Sequence, residues 1–404
     1  MDSERLIAFA REHAGDDPVR LALQQGRYPD MDLKLAAQQI EGQRQASVKW
    51  PTLADCGRYL YPPRLNREQS SSEEAARLKR HLVAEHFAGQ SRITVADLTG
   101  GMGIDSLALC GAFDNTETLP TAQVDYCEQS ETLCQLMEHN TKTLGLNNIS
   151  VHCGDSLDWL AQSGQHFDLL YVDPARRDSR GRKVASFEAC QPDMLQHLEM
   201  LRERCDWLMV KASPMLDIDL GAAQLGAVRE VHIVAVRNEC KELLFVCGPG
   251  TGAPTLHCHN IGNRQEDSVF SFTRSEEASA EATYCERVGS YLYEPDAAQM
   301  KGGPYRLLSQ RSGLAKLAPS THLYTGDRLT AWSGRVFRVL DEVALNRKAI
   351  AAAVPDGRAH VTTRNFPTEA AALQRQLGLH EGGVLTVVAT TVGRERKGYL
   401  CQTE

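Results

Sequence analysis

The sequence predicts an α/β protein whose largest domain is a mostly parallel, seven-stranded sheet that ends in an antiparallel hairpin. Two observations carry this prediction. From residue 93 to residue 211, short apolar runs alternate with stretches of helical spacing, which is typical of strands joined by crossover helices. The next two apolar runs, at 231–236 and 243–247, are joined by residues 237–242 alone, and so short a link has no room for a crossover helix.

The elements can be assigned one after another along the chain. Apolar residues recur at helical spacing up to about residue 48, and the serines before Glu73 are typical of a helix cap, which predicts a helix as far as about His86. Strands are then predicted at 93–97, 123–127, 149–153, 169–172 and 207–211, with helices at 104–110, 130–144, 157–162 and 194–204. Beyond residue 250, small α+β modules are indicated by strands at 255–261, 269–273, 360–363, 385–391 and 397–401 and a helix at 368–377.

The net charge is unevenly distributed over the four regions that this pattern predicts. These are an N-terminal helical region at 1–72, the sheet domain at 73–250, a linker and small segment at 251–330, and a last domain at 331–404. The whole chain carries −8, yet residues 301–404 contain 15 Lys and Arg against 8 Asp and Glu, which leaves −15 on the first 300 residues. A basic end on an acidic body suggests an anionic partner, although charge also varies between domains without a function.

Cysteine spacing and the lack of long apolar runs predict a cytoplasmic protein. None of the 12 cysteines forms a Cys-x-x-Cys pair and most lie in apolar runs, which favours buried thiols over disulfides or zinc, so no metal is expected. No apolar run reaches the roughly 18–20 residues of a membrane span. The first residues do not have the pattern of a secretory signal, and we expect no membrane association.

A glycine-rich loop follows the first predicted strand and precedes a predicted helix. Asp97 ends the strand, and Thr99, Gly100, Gly101 and Gly103 form the loop. Glycines at such a place allow positive φ and let the backbone approach a ligand, which predicts the binding site of a nucleotide-type cofactor. By itself, the loop is compatible with several such cofactors.

Acidic residues at the ends of the neighbouring strands indicate which of these cofactors the loop binds. Asp97 can receive an ammonium group, and Glu128, 25 residues after Gly103, can accept hydrogen bonds from both hydroxyls of a ribose. Asp155 and Ser156 follow the third strand, where the carboxylate can accept from an adenine amine and the next backbone N–H can meet the ring. Ammonium, ribose and adenine are all parts of S-adenosyl-L-methionine, which is therefore the predicted cofactor.

NAD is the principal alternative cofactor, and it fits the loop less well. A dinucleotide site needs a third glycine and a helix N-terminus that faces a pyrophosphate. Here Ser106 occupies the glycine position, and Asp105 adds a negative charge that would repel a pyrophosphate but is compatible with a sulfonium. Together with the closing hairpin, the pattern predicts the Rossmann-like sheet of class I methyltransferases.

The reacting end of the site is expected where the fourth strand ends in Asp173-Pro174-Ala175-Arg176. Asp173 and the Pro174 carbonyl can accept hydrogen bonds from an N–H of the methyl acceptor and so direct its lone pair at the methyl group, with Arg176 beside them. The motif is similar to the (Asn/Asp)-Pro-Pro-(Tyr/Phe) signature of amino-methyltransferases, from which Ala175 and Arg176 depart. Alternatively, Asp173 and Pro174 only end the strand and have no role in catalysis.

Arg176 is closer to the Asp-Pro-Pro-Arg form of the uracil-C5 RNA methyltransferases, which also need a nucleophilic cysteine just after the fifth strand. Here that place reads Lys211-Ala212-Ser213-Pro214, and the nearby thiol is Cys240 in the predicted hairpin link. Because Cys240 is more simply interpreted as a structural residue, a nitrogen acceptor is favoured over a carbon.

Several basic residues are candidate contacts to a nucleic-acid substrate, although each could equally be a solvated surface charge. They are Arg177 and Arg180 in the loop after the fourth strand, Lys211 after the fifth strand, Arg364 in the last domain, and Arg394, Arg396 and Lys397 near the C-terminal end.

Motifs along the whole chain carry a resemblance to a known family. They are Glu68-Gln69-Ser70-Ser71-Ser72-Glu73, the stretch from Asp97 to Asp105, Asp173-Pro174-Ala175-Arg176, Lys211-Ala212-Ser213-Pro214-Met215-Leu216-Asp217, Asn238-Glu239-Cys240-Lys241-Glu242, Tyr293-Glu294-Pro295 and Thr363-Arg364-Asn365-Phe366-Pro367. With these motifs the chain resembles a bacterial family of class I methyltransferases with a C-terminal THUMP-like domain. The resemblance implies a ferredoxin-like segment at roughly 280–325 and, because THUMP domains bind RNA, an RNA substrate.

Methylation of a base nitrogen in tRNA or rRNA is therefore the predicted function, with two alternatives. A methyltransferase that acts on a protein or a small molecule would use the last domain as a lid or for dimerisation. A non-catalytic S-adenosylmethionine- or RNA-binding protein is suggested only by Ala175 and Arg176 at the acceptor edge.

Overall fold

The computed structural model describes residues 3–114, 119–176, 187, 190–191, 193–262 and 267–404. Its contacts divide the chain into two compact units, the first made of residues 1–228 and 244–251 and the second of residues 229–243 and 252–404. The candidate contacts Arg177 and Arg180 lie outside the described residues. Within the described ranges, every helix is too short or too polar to cross a membrane.

The chain begins with helices that belong to the core of the first unit. They are α1 (Ser3–Glu12), α2 (Pro18–Ala22), α3 (Leu33–Lys49), α4 (Pro51–Cys56), α5 (Arg64–Gln69) and α6 (Glu73–His86). Ser72 is the N-cap of α6 and accepts a hydrogen bond from the backbone N–H of Ala75, as the serine pattern predicts. Trp50 and Tyr61 share one buried cluster with Tyr126 of the sheet, so this region packs directly on the strands.

Strands and helices then alternate. They are β1 (Arg92–Asp97), α7 (Ile104–Leu109), β2 (Thr121–Glu128), α8 (Glu131–Leu144), β3 (Ile149–Cys153), α9 (Ser156–Ser163), β4 (Phe167–Val172), β5 (Ala175–Arg176), β6 (Cys190–Gln191), α10 (Leu198–Glu203), β7 (Cys205–Ala212), α11 (Ile218–Leu225), β8 (Val228–Val236) and β9 (Glu239–Cys247). In the first unit the strand order is β9-β7-β4-β1-β2-β3. The pairs from β7 through β4, β1 and β2 to β3 are all parallel, so their carboxyl ends share one edge.

The closing hairpin is formed by β8 and β9, which are neighbours in the sheet. Its turn consists of Arg237 and Asn238, both with positive φ, as a two-residue type I′ turn requires. β9 therefore starts at Glu239, four residues before the predicted start. Beyond β8 the sheet continues with β10 (Thr255–Ile261), which is parallel to β8, and β11 (Ser268–Thr273), so the predicted limit of seven strands is not confirmed.

A second sheet follows in the second unit. Its elements, with α12 (Arg274–Ser279) before them, are β12 (Tyr291–Glu294), α13 (Ala297–Gly302), α14 (Tyr305–Ser312), β13 (Ala315–Ala318), β14 (Thr321–Gly326), β15 (Arg335–Glu342), α15 (Arg347–Ala353), β16 (His360–Arg364), α16 (Ala370–Leu377), β17 (Leu385–Val392) and β18 (Glu395–Thr403). The strand order is β13-β14-β12-β15-β18-β17-β16. Val387 and Val388, adjacent on β17, belong to different buried clusters, so this part of the sheet is covered on both faces.

Candidate functional site

The loop between β1 and α7 requires glycine at two positions. A Cβ on Gly100 would lie 2.2 Å from the ring of Tyr126, and a Cβ on Gly103 would lie 2.7 Å from the sulfur of Met137. Gly103, the N-cap of α7, also has a φ of 84°. The hydroxyl of Tyr126 donates a hydrogen bond to the Gly101 carbonyl at 2.7 Å, which holds the loop against β2.

The carboxylate of Glu128 is fixed at the end of β2 and retains acceptor capacity. Its Oε2 accepts the backbone N–H of Gly101 at 2.8 Å, and its Oε1 accepts that of Ser130 at 2.8 Å. An ionised carboxylate has about four acceptor sites, so each oxygen can still accept a ribose hydroxyl. Gly101 has a φ of 53°, and the nearest atom to a Cβ there would be 3.8 Å away, so this side of the loop has room for a ligand. These residues fit the nucleoside part of S-adenosylmethionine.

Asp155 has a capping role in addition to its predicted contact with adenine. Its Oδ1 accepts the backbone N–H groups of Leu157 and Asp158 at 2.9 and 3.1 Å, which makes it the N-cap of α9. Ser156 is the first residue of that helix and is buried. The glycine before Asp155 donates its N–H to the backbone carbonyl of Glu128 at 2.9 Å. The backbone before Asp155 is therefore held against the end of β2, and the contact of Asp155 with adenine stays a prediction.

Asp97 is buried at the end of β1, with only 1% of its surface exposed. Its Oδ2 accepts the hydroxyl of Ser106 at 2.5 Å, and its Oδ1 accepts the backbone N–H of Thr99 at 3.0 Å. Burial raises the pKa of Asp97 to about 7, although both hydrogen bonds lower it. Because this carboxyl group titrates near neutrality, a neighbouring ammonium group would favour its ionised form.

Asp105 is not the free negative charge that the sequence suggested, because two lysines compensate its charge within the protein. Lys79 Nζ lies 3.0 Å from its Oδ1, and Lys211 Nζ lies 3.9 Å from its Oδ2. The hydroxyls of Tyr171 and Ser71 donate to Oδ2 at 2.8 and 2.9 Å. Burial opposes ionisation, but the two ammonium groups outweigh it and lower the pKa of Asp105. Asp105 thus joins α6 to the sheet, and its contact with a cofactor stays a prediction.

Asp173 lies beside both the glycine loop and β7. Its backbone N–H donates to Thr99 Oγ1 at 2.6 Å, and its carboxylate Oδ2 accepts from Lys211 Nζ at 2.6 Å. The side chain of Asp173 is 34% exposed, whereas that of Lys211 is 11% exposed. The structure therefore brings Asp173 and the cofactor loop together. It also makes Lys211, predicted as a substrate contact, an ion-pair partner of Asp173.

Pro174 and Arg176 follow Asp173 at the same edge of the sheet. Pro174 is buried, and the backbone of Arg176 belongs to β5, which pairs antiparallel with β6 through the register of Arg176 with Cys190. The backbone thus turns away from β4 immediately after Asp173. The catalytic roles of Pro174 and Arg176 remain predictions.

Cys240 lies in strand β9 and not in the hairpin link. Burial raises its pKa to about 11, although the ammonium group of Lys301 lowers it. A thiol with so high a pKa is protonated at neutral pH and is a poor nucleophile. This supports the interpretation of Cys240 as a structural residue.

Arg364 is paired with a buried carboxylate in the second unit. Its guanidinium forms an ion pair with Glu294 and donates to the carbonyl of Thr363 at 2.8 Å. Glu294 also pairs with Arg335 at 2.5 Å, and its own side chain is only 5% exposed. The predicted contact between Arg364 and a phosphate is untested, and such a contact would have to share the guanidinium with Glu294.

Sequence reasoning missed Lys79, Ser71 and Tyr171, which all belong to the network around Asp105. Lys79 carried a usable signal, because it lies on the face of α6 that buries Ala75, Ala76, Leu82 and Val83. A cation on an apolar face needs a buried partner. Ser71 was interpreted only as part of a helix cap, although its hydroxyl also accepts from Lys79 Nζ at 3.1 Å.

Two family models match the C-terminal part of the chain. One, described as a ferredoxin-like domain, matches residues 291–331, and the other, described as THUMP domain-like, matches residues 334–403. Together they span β12 to β18, which are the strands of the second sheet. The segment and the domain therefore contribute to one continuous sheet.

Known proteins resemble a part of this chain or the whole of it. An uncharacterized S-adenosylmethionine-dependent methyltransferase of Mycobacterium tuberculosis, known from two strains, is 27% identical over 230 residues, or 56% of this chain. The match spans 60% of the length of these curated relatives. A crystal structure of a provisionally assigned methyltransferase from Porphyromonas gingivalis W83 is 28% identical, has a TM-score of 0.83, and covers 100% of this chain and 99% of its own. The chain is therefore a relative of S-adenosylmethionine-dependent methyltransferases with the class I fold, and it carries a C-terminal THUMP-like domain.

Proposed function

We propose that this chain is an S-adenosylmethionine-dependent methyltransferase that methylates a base nitrogen in RNA. One observation carries the proposal: the backbone N–H of Asp173 donates to the hydroxyl of Thr99 at 2.6 Å. A cofactor on the glycine loop and a substrate held by Asp173 would consequently meet at one edge of the sheet. The names of the curated relatives and the whole-chain likeness to the Porphyromonas gingivalis structure support methyl transfer as the reaction.

The proposed cofactor contacts come from the ends of β1, β2 and β3. The loop residues Thr99, Gly100, Gly101 and Gly103 would lie along the cofactor, with Asp105 beneath them. Glu128 would accept the ribose hydroxyls, Asp97 would face the ammonium group, and Asp155 with the N–H of Ser156 would meet the adenine. When bound, S-adenosylmethionine supplies an electrophilic methyl group on its sulfonium.

The proposed acceptor contacts come from Asp173 and Pro174. Lys211 binds Oδ2 of Asp173 and restricts rotation of the carboxylate. Oδ1 of Asp173 and the Pro174 carbonyl would accept hydrogen bonds from the substrate amine, which directs the nitrogen lone pair at the methyl group. The proton that the nitrogen loses would pass to Asp173 Oδ1 and from there to water. Arg176 would lie against the target nucleotide.

An RNA substrate is supported by the THUMP-like match at residues 334–403 and by the excess of basic residues after residue 300. We propose Arg177 and Arg180, which follow Arg176 in the sequence, as phosphate contacts. In the last domain the exposed Arg394 and Arg396 are stronger candidates than Arg364, because Glu294 already binds the guanidinium of Arg364.

Calorimetric titration of the full chain with S-adenosylmethionine tests the cofactor assignment. We expect one binding site and at least about tenfold weaker binding in Glu128→Gln, because hydrogen bonds to a charged group contribute about 1.5–3 kcal/mol. Asp206→Asn is the matched control, since Asp206 is exposed near the amino end of β7, away from the site. Binding of NAD in place of S-adenosylmethionine would overturn the assignment.

Methyl transfer to RNA from cells that lack this protein tests the substrate. With labelled S-adenosylmethionine, we expect label in the RNA for the wild type and at least about a hundredfold less for Asp173→Asn, because an acceptor held in the wrong orientation loses its near-attack geometry. Nucleoside mass spectrometry then identifies the methylated atom. Label in protein or in small molecules, with none in RNA, would reject an RNA substrate and keep the methyltransferase assignment.

A further inference from the structure

Three histidines and a glutamate of the second unit lie together on two neighbouring strands, and none of them is among the residues assigned to methyl transfer. Glu230 and His232 are on β8, and His257 and His259 are on the parallel neighbour β10. His232 and His257 are register partners. Because side chains two residues apart share a face of a strand, all four side chains project from the same side of the sheet.

The distances within this cluster are those of a convergent set of donors. Glu230, His232 and His257 each offer a ligand atom, and these atoms lie within 4.8 Å of one another. His232 Nε2 is 3.0 Å from the Glu230 carboxylate. The rings of His232 and His257 are stacked, with centroids 4.8 Å apart and planes inclined by 16°. Ligand atoms about 2.0–2.2 Å from a tetrahedral zinc ion lie roughly 3.5 Å from one another. Small side-chain rotations would therefore bring these three ligand atoms to coordination distance.

Second partners orient both imidazole rings of the set. Nδ1 of His232 lies 3.0 Å from Nε2 of His259, and Nδ1 of His257 lies 2.8 Å from the hydroxyl of Ser271 on β11. In metal sites, a hydrogen bond on one ring nitrogen fixes the tautomer that presents the other nitrogen to the ion. Here Nε2 of His232 lies 3.0 Å from Glu230, and the contact of His257 Nδ1 with Ser271 makes Nε2 the ligand atom that we expect from His257.

The burial of the cluster suits an ion that enters from solvent. His232 is 2% exposed and forms the inner wall, whereas Glu230 and His257 are half-buried at the outer side. Two imidazoles and one carboxylate form a ligand set that suits zinc and its first-row neighbours better than magnesium or calcium, which prefer oxygen ligands.

We infer that Glu230, His232 and His257 bind one divalent transition-metal ion, with zinc as the expected species and water completing its coordination. The ion would link β8 to β10 at the outer part of the sheet. Cysteine spacing gave no indication of a metal site, because these ligands are brought together by strand pairing across 27 residues, from Glu230 to His257.

Titration of the chelator-treated full chain with Co²⁺, followed by competition with Zn²⁺, tests the site. We expect one equivalent of Co²⁺ to give the visible absorption of a four- or five-coordinate nitrogen–oxygen site, and Zn²⁺ to displace it. Glu230→Gln and His257→Ala should each weaken binding by at least about tenfold. His360→Ala is the control, because His360 is an exposed histidine on β16 of the same unit.

Stability in the presence of metal gives a second measurement. At one zinc concentration, the melting temperature should rise in the wild type and in His360→Ala, and it should rise less in Glu230→Gln, which retains the volume of the side chain and should fold. A thiolate-to-cobalt charge-transfer band, or equal Co²⁺ affinity in wild type and Glu230→Gln, would overturn the proposal, since either result would place the ion elsewhere.

Discussion

The ammonium group of Lys211 lies 2.6 Å from Oδ2 of Asp173 and 3.9 Å from Oδ2 of Asp105, so one cation lies between two carboxylates at the edge of the sheet. Asp105 is in turn paired with Lys79 of α6 at 3.0 Å. Charges of opposite sign therefore alternate from the N-terminal helices to the proposed acceptor motif. Removing one member leaves its neighbour without compensation in a poorly solvated place.

Lys211→Met should impair methyl transfer more than it impairs cofactor binding. Asp173 would lose the partner that restricts its carboxylate, and a misplaced acceptor group can reduce kcat by about a hundredfold. The dissociation constant for S-adenosylmethionine should change little, because Glu128, the proposed ribose contact, is held by the backbone N–H groups of Gly101 and Ser130. Single-turnover assays combined with calorimetry measure both quantities. An unchanged kcat in Lys211→Met would refute the positioning role, whereas Lys211→Arg, which keeps the charge, should retain part of the activity.

Lys79→Met should reduce the free energy of unfolding by about 3–5 kcal/mol, because it leaves the buried carboxylate of Asp105 without its nearest cation. The urea midpoint, followed by tryptophan fluorescence, reports the loss. Lys34→Met, at an exposed position on α3, should stay within about 0.5 kcal/mol of the wild type. Adding Asp105→Asn to Lys79→Met should restore much of the loss. If the double variant were no more stable than Lys79→Met, the ion pair would not be the cause.

The strand ends were predictable from the sequence because they depend on short-range patterns. Apolar runs fixed β1 to β4 to within two residues, and this placed Glu128 and Asp173 where parallel strands end. The pairing of Lys79 with Asp105 was not predictable, since it depends on how α6 lies on the sheet. Asp105 was therefore interpreted as a free charge.

Two elements were missed for local reasons. The early start of β9 depends on positive φ at Asn238, a turn signal that was not recognised. α11 was missed although Asp217 caps it, because Gly221 interrupts the helical pattern. That glycine is needed for packing, as a Cβ there would lie 2.8 Å from the ring of Phe245. A glycine that makes a helix less expected from the sequence can thus be required for the packing of that helix.

Asp97 predicts a pH dependence of stability. The pKa of an aspartate in the unfolded chain is about 3.9, whereas burial raises that of Asp97 to about 7 in the folded protein. The folded state then binds the proton more tightly, so this contribution to stability is fully present below about pH 4 and is lost as the pH rises through about 7. Asp97→Asn cannot ionise, and its melting temperature should fall less between pH 5 and pH 8 than that of the wild type. Identical slopes in differential scanning fluorimetry would contradict the raised pKa, and Asp30→Asn, at an exposed position before α3, should keep the wild-type slope.

Gly100→Ala should prevent cofactor binding by displacing the loop. The new Cβ would lie 2.2 Å from the ring of Tyr126, and overpacking of this kind costs about 1–3 kcal/mol. Gly15→Ala is the matched control, because a Cβ there would meet no atom within 4 Å. Thermal melts and titration with S-adenosylmethionine distinguish the two variants. Normal affinity in Gly100→Ala would show that the loop does not hold the cofactor as proposed.

RNA retention should depend on Arg394 and Arg396 and not on Arg364. Arg394 and Arg396 are exposed beside the turn between β17 and β18. Each phosphate contact contributes about 0.7 (single strands) to about 0.9 (duplexes) to the slope of log K against log salt concentration, so with tRNA the double alanine variant should lose about 1.4–1.8 from that slope. Arg364→Ala should leave the slope unchanged but lower the melting temperature, because the buried carboxylate of Glu294 would then have only Arg335 to compensate it. Filter binding of tRNA across a salt series measures the slopes. An unchanged slope in the double variant, together with a reduced slope in Arg364→Ala, would contradict this prediction. Arg364, at the end of β16, would then be the RNA contact in place of Arg394 and Arg396.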